Sequence, residues 1–153
     1  MIEIKKIQGV KQLQNQIKSL ADDKIKRREI LKILKRQSKP LLKKVKENTP
    51  VADNAILYRD KIYYPGDLKK SMAIKTSPMK HYPNVLIGPR IGTKQKYDGF
   101  YAFFIQFGYR WGKKRVPEND FIAKSVNSVG GQVEQRASKE LEKYIYKKAK
   151  NNL

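Results

Sequence analysis

Hydrophobic residues near the start of the chain recur at the spacing of a helix. Val10, Leu13, Ile17 and Leu20 are three or four residues apart, which places them on one stripe of a helical surface. The pattern predicts a helical extension within residues 1–22, with its firm part beginning near Val10.

A second and longer amphipathic pattern covers residues 24 to 47. Apolar residues three and four apart form one face, and a dense set of Lys and Arg forms the other. Pro40 lacks an N–H group and crowds the preceding turn, so we expect a kink or break near Ser38. The helix should end by Asn48, because the next residue precedes Pro50.

The middle of the chain changes to short β-prone pieces. Residues 51–70 contain "AILYR" and "KIYY" followed by the turn signal "PGD", which fits a hairpin or flap. The segments "SMAIKTS" and "NVLIGP" then alternate with period two, as strands do. Residues 92–99, "GTKQKYDG", are typical of a basic loop.

The most aromatic segment of the sequence is "FYAFFIQFG", residues 100 to 108. Read with period two, it has two apolar faces, and this pattern predicts a central, buried strand that ends at Gly108. Phe103 and Phe107 are then core residues. The basic residues that follow, 109–116, are expected to form an exposed loop.

Two helical patterns complete the chain. Pro117 to Asp120 carry a helix-start signature, and Gly130 and Gly131 are expected to separate that helix from a last amphipathic one. The predicted fold is therefore a single α+β domain over residues 1–153. In it, a small antiparallel sheet packs against a long N-terminal helix and a C-terminal helix.

Charge is the strongest compositional signal. The chain has 35 Lys and Arg against 14 Asp and Glu, a net charge of +21. Such a field attracts polyanions, namely nucleic acid, an acidic protein surface or an anionic membrane, although a solvated basic surface without a partner explains it equally well. The sequence has no cysteine, which excludes disulfides, thiolate metal sites and thiol nucleophiles.

Candidate catalytic residues are sparse. The single histidine, His81, lies in a predicted loop, and the loop carboxylates Asp53, Asp60, Asp67 and Asp98 lack metal-ligand spacing. No phosphate-binding glycine loop is present. We therefore expect no enzyme, no cofactor and no metal. A divergent nuclease using Asp98 is the third hypothesis.

Nucleic-acid binding is the main alternative function. Aromatic residues among Lys and Arg are typical of proteins that stack bases over a charged groove. Because most of the aromatic segment is predicted to be core, only Tyr109 and Trp111, beside Arg110 and Lys113, remain as exposed platforms. This alternative is a stand-alone basic nucleic-acid-binding protein.

Several pieces of the sequence, taken in order from about residue 25 to 150, resemble the motifs of one protein family. These pieces are "KENTPV", "PGDLKKSMAIK", "VLIGP", "YAFFIQFGY" and "VPENDFIAKSV". They are similar to the neck and tail-completion (head-tail connector) family of long-tailed bacteriophages, typified by the tenth gene product of phage Hong Kong 97. Gln106, Tyr109 and the pair Asn119-Asp120 differ from the residues usual at those places in the family.

The resemblance implies a structural protein of the virion neck, between the capsid portal and the tail. It implies a homo-oligomeric ring of six or twelve copies and contacts with portal-adaptor, head-closure or tail-terminator and tail-tube proteins. Packaged double-stranded DNA is a further possible partner, and the protein is made in the host bacterial cytoplasm. The basic loops supply the candidate contact residues, which are Arg90, Lys94, Lys96, Tyr109, Arg110, Trp111, Lys113, Lys114 and Arg115.

The sequence has no feature of a membrane protein. Its start alternates charged and apolar residues, unlike a secretory signal, and no apolar run approaches the roughly 20 residues needed to span a bilayer. We expect a soluble protein without a membrane partner.

Overall fold

The computed structural model describes residues 15, 24–58, 60–77, 83–92 and 94–151. Over these residues it is a mixed α+β protein, which confirms the predicted fold class. Its elements, in chain order, are α1 (Lys24–Gln37), α2 (Lys39–Asn48), β1 (Ile56–Tyr58), β2 (Lys61–Tyr63), α3 (Asp67–Ser71), β3 (Met72–Thr76), β4 (Val85–Pro89), α4 (Ala102–Phe107), β5 (Tyr109–Trp111), β6 (Lys114–Val116) and α5 (Phe121–Asn151). The helix predicted within residues 1–22 lies outside the described residues, except for Asn15, which is helical.

The long basic pattern is divided into α1 and α2 at Ser38, as Pro40 predicts. The N–H of Ser38 still donates to the carbonyl of Leu34 at 2.9 Å, so the hydrogen-bond ladder of α1 continues up to the break. The helix α2 ends at Asn48, also as predicted. There the hydroxyl of Thr49 donates to the carbonyl of Val45 at 2.6 Å and satisfies one of the orphan groups of a helix end.

The strands form three separate two-stranded antiparallel sheets, within the described part of the chain, where one small sheet was expected. In the first, β1 and β2 pair with Leu57 opposite Ile62. β3 and β4 pair in the second, and both lie where the period-two pattern predicts strands. The third consists of β5 and β6, so residues 109 to 116 are a hairpin rather than an irregular loop.

The predicted central strand is wrong, because residues 102 to 107 form the helix α4. Every residue from Phe100 to Phe107 except Gln106 is apolar, and such a run satisfies a helical period as well as a strand period. Only the face with Ala102 and Ile105 turns inward. Phe103 and Phe107 are 65% and 64% exposed, so the prediction that they are core residues is also wrong.

The predicted break at Gly130 and Gly131 is wrong as well. The helix α5 continues through both glycines for 31 residues. A glycine inside a helix costs only about 1 kcal/mol, and the hydrogen-bonded turns on both sides supply more than that. The helix start is as predicted. Asp120 is its N-cap, and its carboxylate accepts the N–H of Ala123 at 3.2 Å.

The chain divides into two compact units. One comprises residues 39–75 and 87–133, and its core is a cluster of fully buried side chains with partly buried ones around them. The buried members are Val45, Leu68, Met72, Ala102 and Phe121. The other unit comprises residues 1–38, 76–86 and 134–153. Ile30 and Leu141 are buried in it, and Arg36 forms an ion pair with Glu140.

Backbone contacts in the first of these units fix the entry to α4. The N–H of Arg90 donates to the carbonyl of Ser71 at 2.9 Å, and the N–H of Gly99 donates to the carbonyl of Arg90 at 2.8 Å. Gly99 then accepts the N–H of Ala102 at 3.0 Å. The first turn of α4 is therefore tied to β4 and to the end of α3, which holds a six-residue helix that would not persist alone.

Candidate assembly surface

A continuous chain of aromatic rings connects the hairpin β1–β2 with α4. Phe100 stacks on Tyr58 at a centroid distance of 5.3 Å and contacts Tyr63 at 5.4 Å. On its other side it contacts Phe104 at 6.4 Å, and Phe104 contacts Phe103 at 6.2 Å. Aromatic contacts of this kind, whether stacked or edge-to-face, add about 1 kcal/mol each beyond the area that they bury, so the rings support one another's positions.

Two phenols that contact Phe100, those of Tyr63 and Tyr101, have raised pKa values. Burial raises the pKa of Tyr101, and the nearby carboxylate of Asp67 raises it further. Burial and the carboxylate of Asp98 likewise raise the pKa of Tyr63. Both side chains therefore stay neutral in the folded protein over the physiological range.

The outer side of α4 is an exposed aromatic surface. We call Phe103, Phe104 and Phe107 the α4 patch; the exposed fraction of Phe104 is 46%. Phe103 and Phe107 are one helical turn apart, and their rings contact each other with centroids 4.8 Å apart. The three rings expose roughly 350 Å², which is comparable with the largest apolar patch of a typical monomer. The helix carries no charged residue.

The outer side of the hairpin β1–β2 is a second exposed apolar surface. Leu57 and Ile62 are cross-strand partners, so their side chains share one face of the hairpin. They are 70% and 49% exposed. We call this pair the outer hairpin face, because Tyr58 and Tyr63 extend from the opposite face to contact Phe100.

The hairpin β5–β6 is the most basic exposed structure in the same unit. Arg110 and Arg115 are directly opposite each other in the register, and Lys113 and Lys114 lie at or beside the turn. All four are exposed, and none forms an ion pair with a carboxylate in the described part of the chain.

The base of this hairpin is clamped against the start of α5. Gly108 has φ = +72°, and a Cβ on it would lie 2.9 Å from both the backbone N of Glu118 and the carbonyl oxygen of Val116. A larger residue would therefore clash with backbone as well as adopt a strained conformation. The N–H of Asn119 also donates to the carbonyl of Ile105 at 2.9 Å.

An open pocket of about 360 Å³ lies beside the clamp. Its basic lining is Arg110 and Arg115, and its aromatic lining is Phe107 and Tyr109. Glu118 is the acidic residue that lines it. The pocket lining therefore combines two guanidinium groups with apolar side chains and has a net positive charge.

The predicted contact residues fall on two separate segments. Tyr109 to Trp111 and Lys113 to Arg115 are on the hairpin β5–β6, whereas Arg90, Lys94 and Lys96 are on the segment between β4 and α4. Arg90, Lys94 and Lys96 are exposed, and the ammonium of Lys96 lies 5.5 Å from the ring centroid of Tyr97. The backbone of Trp111 is in β5, and its side chain lies outside the described part.

Sequence reasoning missed the α4 patch and the outer hairpin face. The signal for the α4 patch was present, because Phe103 and Phe107 have the i, i+4 spacing of neighbours on a helix. The exposure of Leu57 and Ile62 had no comparable signal. Alternation assigns two residues to one face of a strand but does not say which face is covered.

Asp98, the nuclease candidate, has a structural role. It is buried, and one of its carboxylate oxygens accepts the N–H groups of Gly92 at 3.2 Å and Phe100 at 3.1 Å. The other oxygen lies 3.7 Å from the ammonium of Lys61. Asp98 thus closes the loop that leads into α4. His81 lies outside the described residues, and no group of three or more potential metal ligands occurs within them.

The chain was compared with protein-family models, curated proteins and solved structures, and none of these comparisons finds a match. Among the residues that the structure describes, no helix has both the length and the apolar character that crossing a bilayer requires.

Proposed function

We propose that the protein is a structural ring subunit of the neck of a tailed bacteriophage, joining the capsid portal to the tail. The observation that carries this proposal is the α4 patch, an aromatic surface exposed on a helix that is tied to the core at both ends. The largest apolar patch of a protein, which is commonly of this size, is often functional. The order of the sequence motifs supports the family resemblance, and the α4 patch supports self-assembly.

The occupant of the α4 patch is a second copy of this chain. A ring that closes by rotation repeats one heterologous contact, in which two unlike surfaces meet. The chain offers two unlike apolar surfaces, the α4 patch and the outer hairpin face. We propose that the α4 patch of one copy binds the outer hairpin face of the next.

Charge favours this pairing over a contact between two identical basic surfaces. The unit that carries both patches has 17 Lys and Arg against 7 Asp and Glu, so hairpins β5–β6 facing each other would repel. The α4 patch contains no charge. An apolar, head-to-tail contact buries surface without bringing the unpaired cations of two copies together.

Association states of matched variants test the proposal. The protein should assemble at micromolar concentration, measured by sedimentation velocity and light scattering. Phe103→Ser with Phe107→Ser, or Leu57→Ser with Ile62→Ser, should each give folded monomers. Tyr146→Ser is the control, because Tyr146 is 74% exposed on α5, which carries neither of the two surfaces.

Mixing the two double variants distinguishes the contact types. Each variant retains one intact surface, so a heterologous contact predicts a one-to-one heterodimer that goes no further. Variants that assemble like the unchanged protein would disprove the pairing. A protein that stays monomeric alone and also fails to join portal, adaptor or terminator rings encoded beside it would disprove the neck function. A monomer that binds nucleic acid would instead support the alternative, a stand-alone nucleic-acid-binding protein.

A further inference from the structure

The hairpin β5–β6 places two arginines where they repel each other. Arg110 and Arg115 are cross-strand partners, so their Cβ atoms are about 5 Å apart on the same face. Like charges directly opposite each other destabilise a hairpin. No described carboxylate forms an ion pair with either guanidinium. An anion between the two would remove the repulsion.

Backbone contacts at the base of the hairpin fix the relative position of the two strands that carry these arginines. Its base is fixed by the close approach of Gly108 to the backbone at Val116 and Glu118, and both arginines line the same 360 Å³ pocket. That volume is at the lower end of ligand-binding pockets. A planar guanidinium donates two parallel hydrogen bonds to a phosphate, which makes a fixed arginine pair well suited to a phosphodiester.

We infer that the Arg110–Arg115 pair binds a backbone phosphate of double-stranded DNA, with Lys113 and Lys114 contacting phosphates beside it. The phosphate contacts use basic side chains of this hairpin, whereas the ring contact uses the α4 patch and the outer hairpin face, so the two can be tested separately even though Phe107 of the α4 patch also lines the pocket. The strands β5 and β6 carry no Asn, Gln, Asp or Glu. The proposed contacts are to phosphates, which carry no sequence information, so the predicted binding is independent of sequence.

The whole-chain charge favours a polymer over an acidic peptide. The excess of Lys and Arg is present in both units, with 17 against 7 in one and 18 against 7 in the other. A peptide would need only a local basic patch, whereas an extended polyanion draws on charge throughout the chain.

Charge density favours duplex over single-stranded DNA. A duplex carries one phosphate charge per about 1.7 Å of its axis, twice the density of a single strand, so it presents a denser row of phosphates to a basic hairpin. Stacking of an unpaired base on the exposed ring of Phe107 is the competing outcome, and it predicts a preference for a single-stranded oligonucleotide.

Salt dependence of DNA binding measures the number of phosphate contacts. Fluorescence anisotropy with a labelled duplex of about 30 base pairs should show log K falling linearly with log salt. Arg110→Ser with Arg115→Ser should reduce the steepness of that line by roughly 0.9, the value for the one phosphate that the pair neutralises. The control is Arg136→Ser with Lys139→Ser, which removes the same charge from exposed positions on α5 and should change the slope less.

Two further variants test whether the change in slope comes from the arginine pair itself. Arg110→Lys with Arg115→Lys keeps the charge and should retain the slope while binding more weakly, which also guards against misfolding of the serine variant. The Leu57→Ser, Ile62→Ser variant should keep the slope per subunit, so a failed ring contact does not affect this test. Equal slope losses in the hairpin variant and the α5 control would overturn the site. So would an absence of binding at about 50 mM salt, preference for a single-stranded oligonucleotide, or equal competition by polyglutamate.

Discussion

Gly99 lies against Ser71 so closely that no side chain fits between them. A Cβ on Gly99 would fall well inside contact distance of the Ser71 hydroxyl oxygen and 2.5 Å from the Cβ of Pro89. The same three segments are joined by the backbone hydrogen bonds of Arg90 to Ser71 and of Gly99 to Arg90. This contact sets where α4 begins, and so it positions the α4 patch.

Replacing Gly99 with alanine should therefore destabilise the protein. We expect Gly99→Ala to lower the free energy of unfolding by about 3 kcal/mol, because the added methyl group must displace a buried side chain or backbone. Gly112→Ala is the control. It adds a methyl group into open space at φ = +59° and should cost only about 1 kcal/mol. Urea denaturation measures both, and equal costs would refute the close-packing argument.

The glycine pair inside α5 offers a stabilising substitution. Gly131→Ala should raise the free energy of unfolding by about 0.8 kcal/mol, since alanine favours a helix and nothing lies within 4 Å of its Cβ. Gly130→Ala should gain less, because its Cβ would lie 3.2 Å from a methyl carbon of Val126. Thermal unfolding reports both changes. A loss of stability in Gly131→Ala would contradict a continuous helix.

Two phenylalanines should differ sharply in their contribution to stability. Phe121 is fully buried in the core, so Phe121→Ala should cost about 4 kcal/mol. Phe103 is mostly exposed and loses only its ring contacts with Phe104 and Phe107, so Phe103→Ala should lower the stability of the monomer by no more than about 1 to 2 kcal/mol. Denaturation at a concentration below that of self-association compares them. Similar costs would mean that Phe103 is buried after all.

Asp98 should contribute to the stability of the fold rather than to cleavage of DNA. Asp98→Asn weakens two hydrogen bonds to backbone N–H groups and leaves the ammonium of Lys61 without its carboxylate. We expect a loss of about 2 kcal/mol. The exposed Asp53→Asn serves as the control. Magnesium-dependent DNA cleavage by the unchanged protein that disappears in Asp98→Asn would instead support a nuclease.

Alkaline pH should weaken the fold through two partly buried phenols, those of Tyr63 and Tyr101. The pKa values of Tyr101 and Tyr63 are raised above the ordinary value of 10.0 by burial and nearby carboxylates. Their contribution to stability is full below about pH 10 and is lost as pH rises through the raised folded-state pKa. Tyr101→Phe should flatten that decline in urea midpoints above about pH 10. A Tyr101→Phe profile as steep as that of the unchanged protein would contradict the assignment.

Local signals in the sequence predicted helix boundaries well where proline or helix-capping residues marked them. Pro40 marked the break at Ser38, and the signature ending at Asp120 marked the start of α5. The strand predicted from Phe100 to Phe107 was wrong because a run of apolar residues has no informative period. What decided its structure was the contact of Gly99 with Ser71 and Pro89, which joins residues far apart in sequence.

The candidate site was also predictable only in part, because its geometry depends on contacts between residues far apart in sequence. The basic character of residues 109 to 116 is evident from composition, but the opposition of Arg110 and Arg115 requires a hairpin register. The α4 patch depends on which face of a short helix the core covers. That face is chosen by Val45, Leu68 and Phe121, which come from three other segments.

The two compact units are interleaved along the chain, and this limits how the gene can be divided. One unit uses two stretches of sequence and the other uses three, with changeovers at Ser38, Lys75, Leu86 and Val133. No single truncation isolates either unit, so expression of one as a fragment would require joining distant pieces with designed linkers. A crossover between residues 39 and 133 would likewise divide both units, whereas one outside that range would leave the unit of residues 39–75 and 87–133 whole.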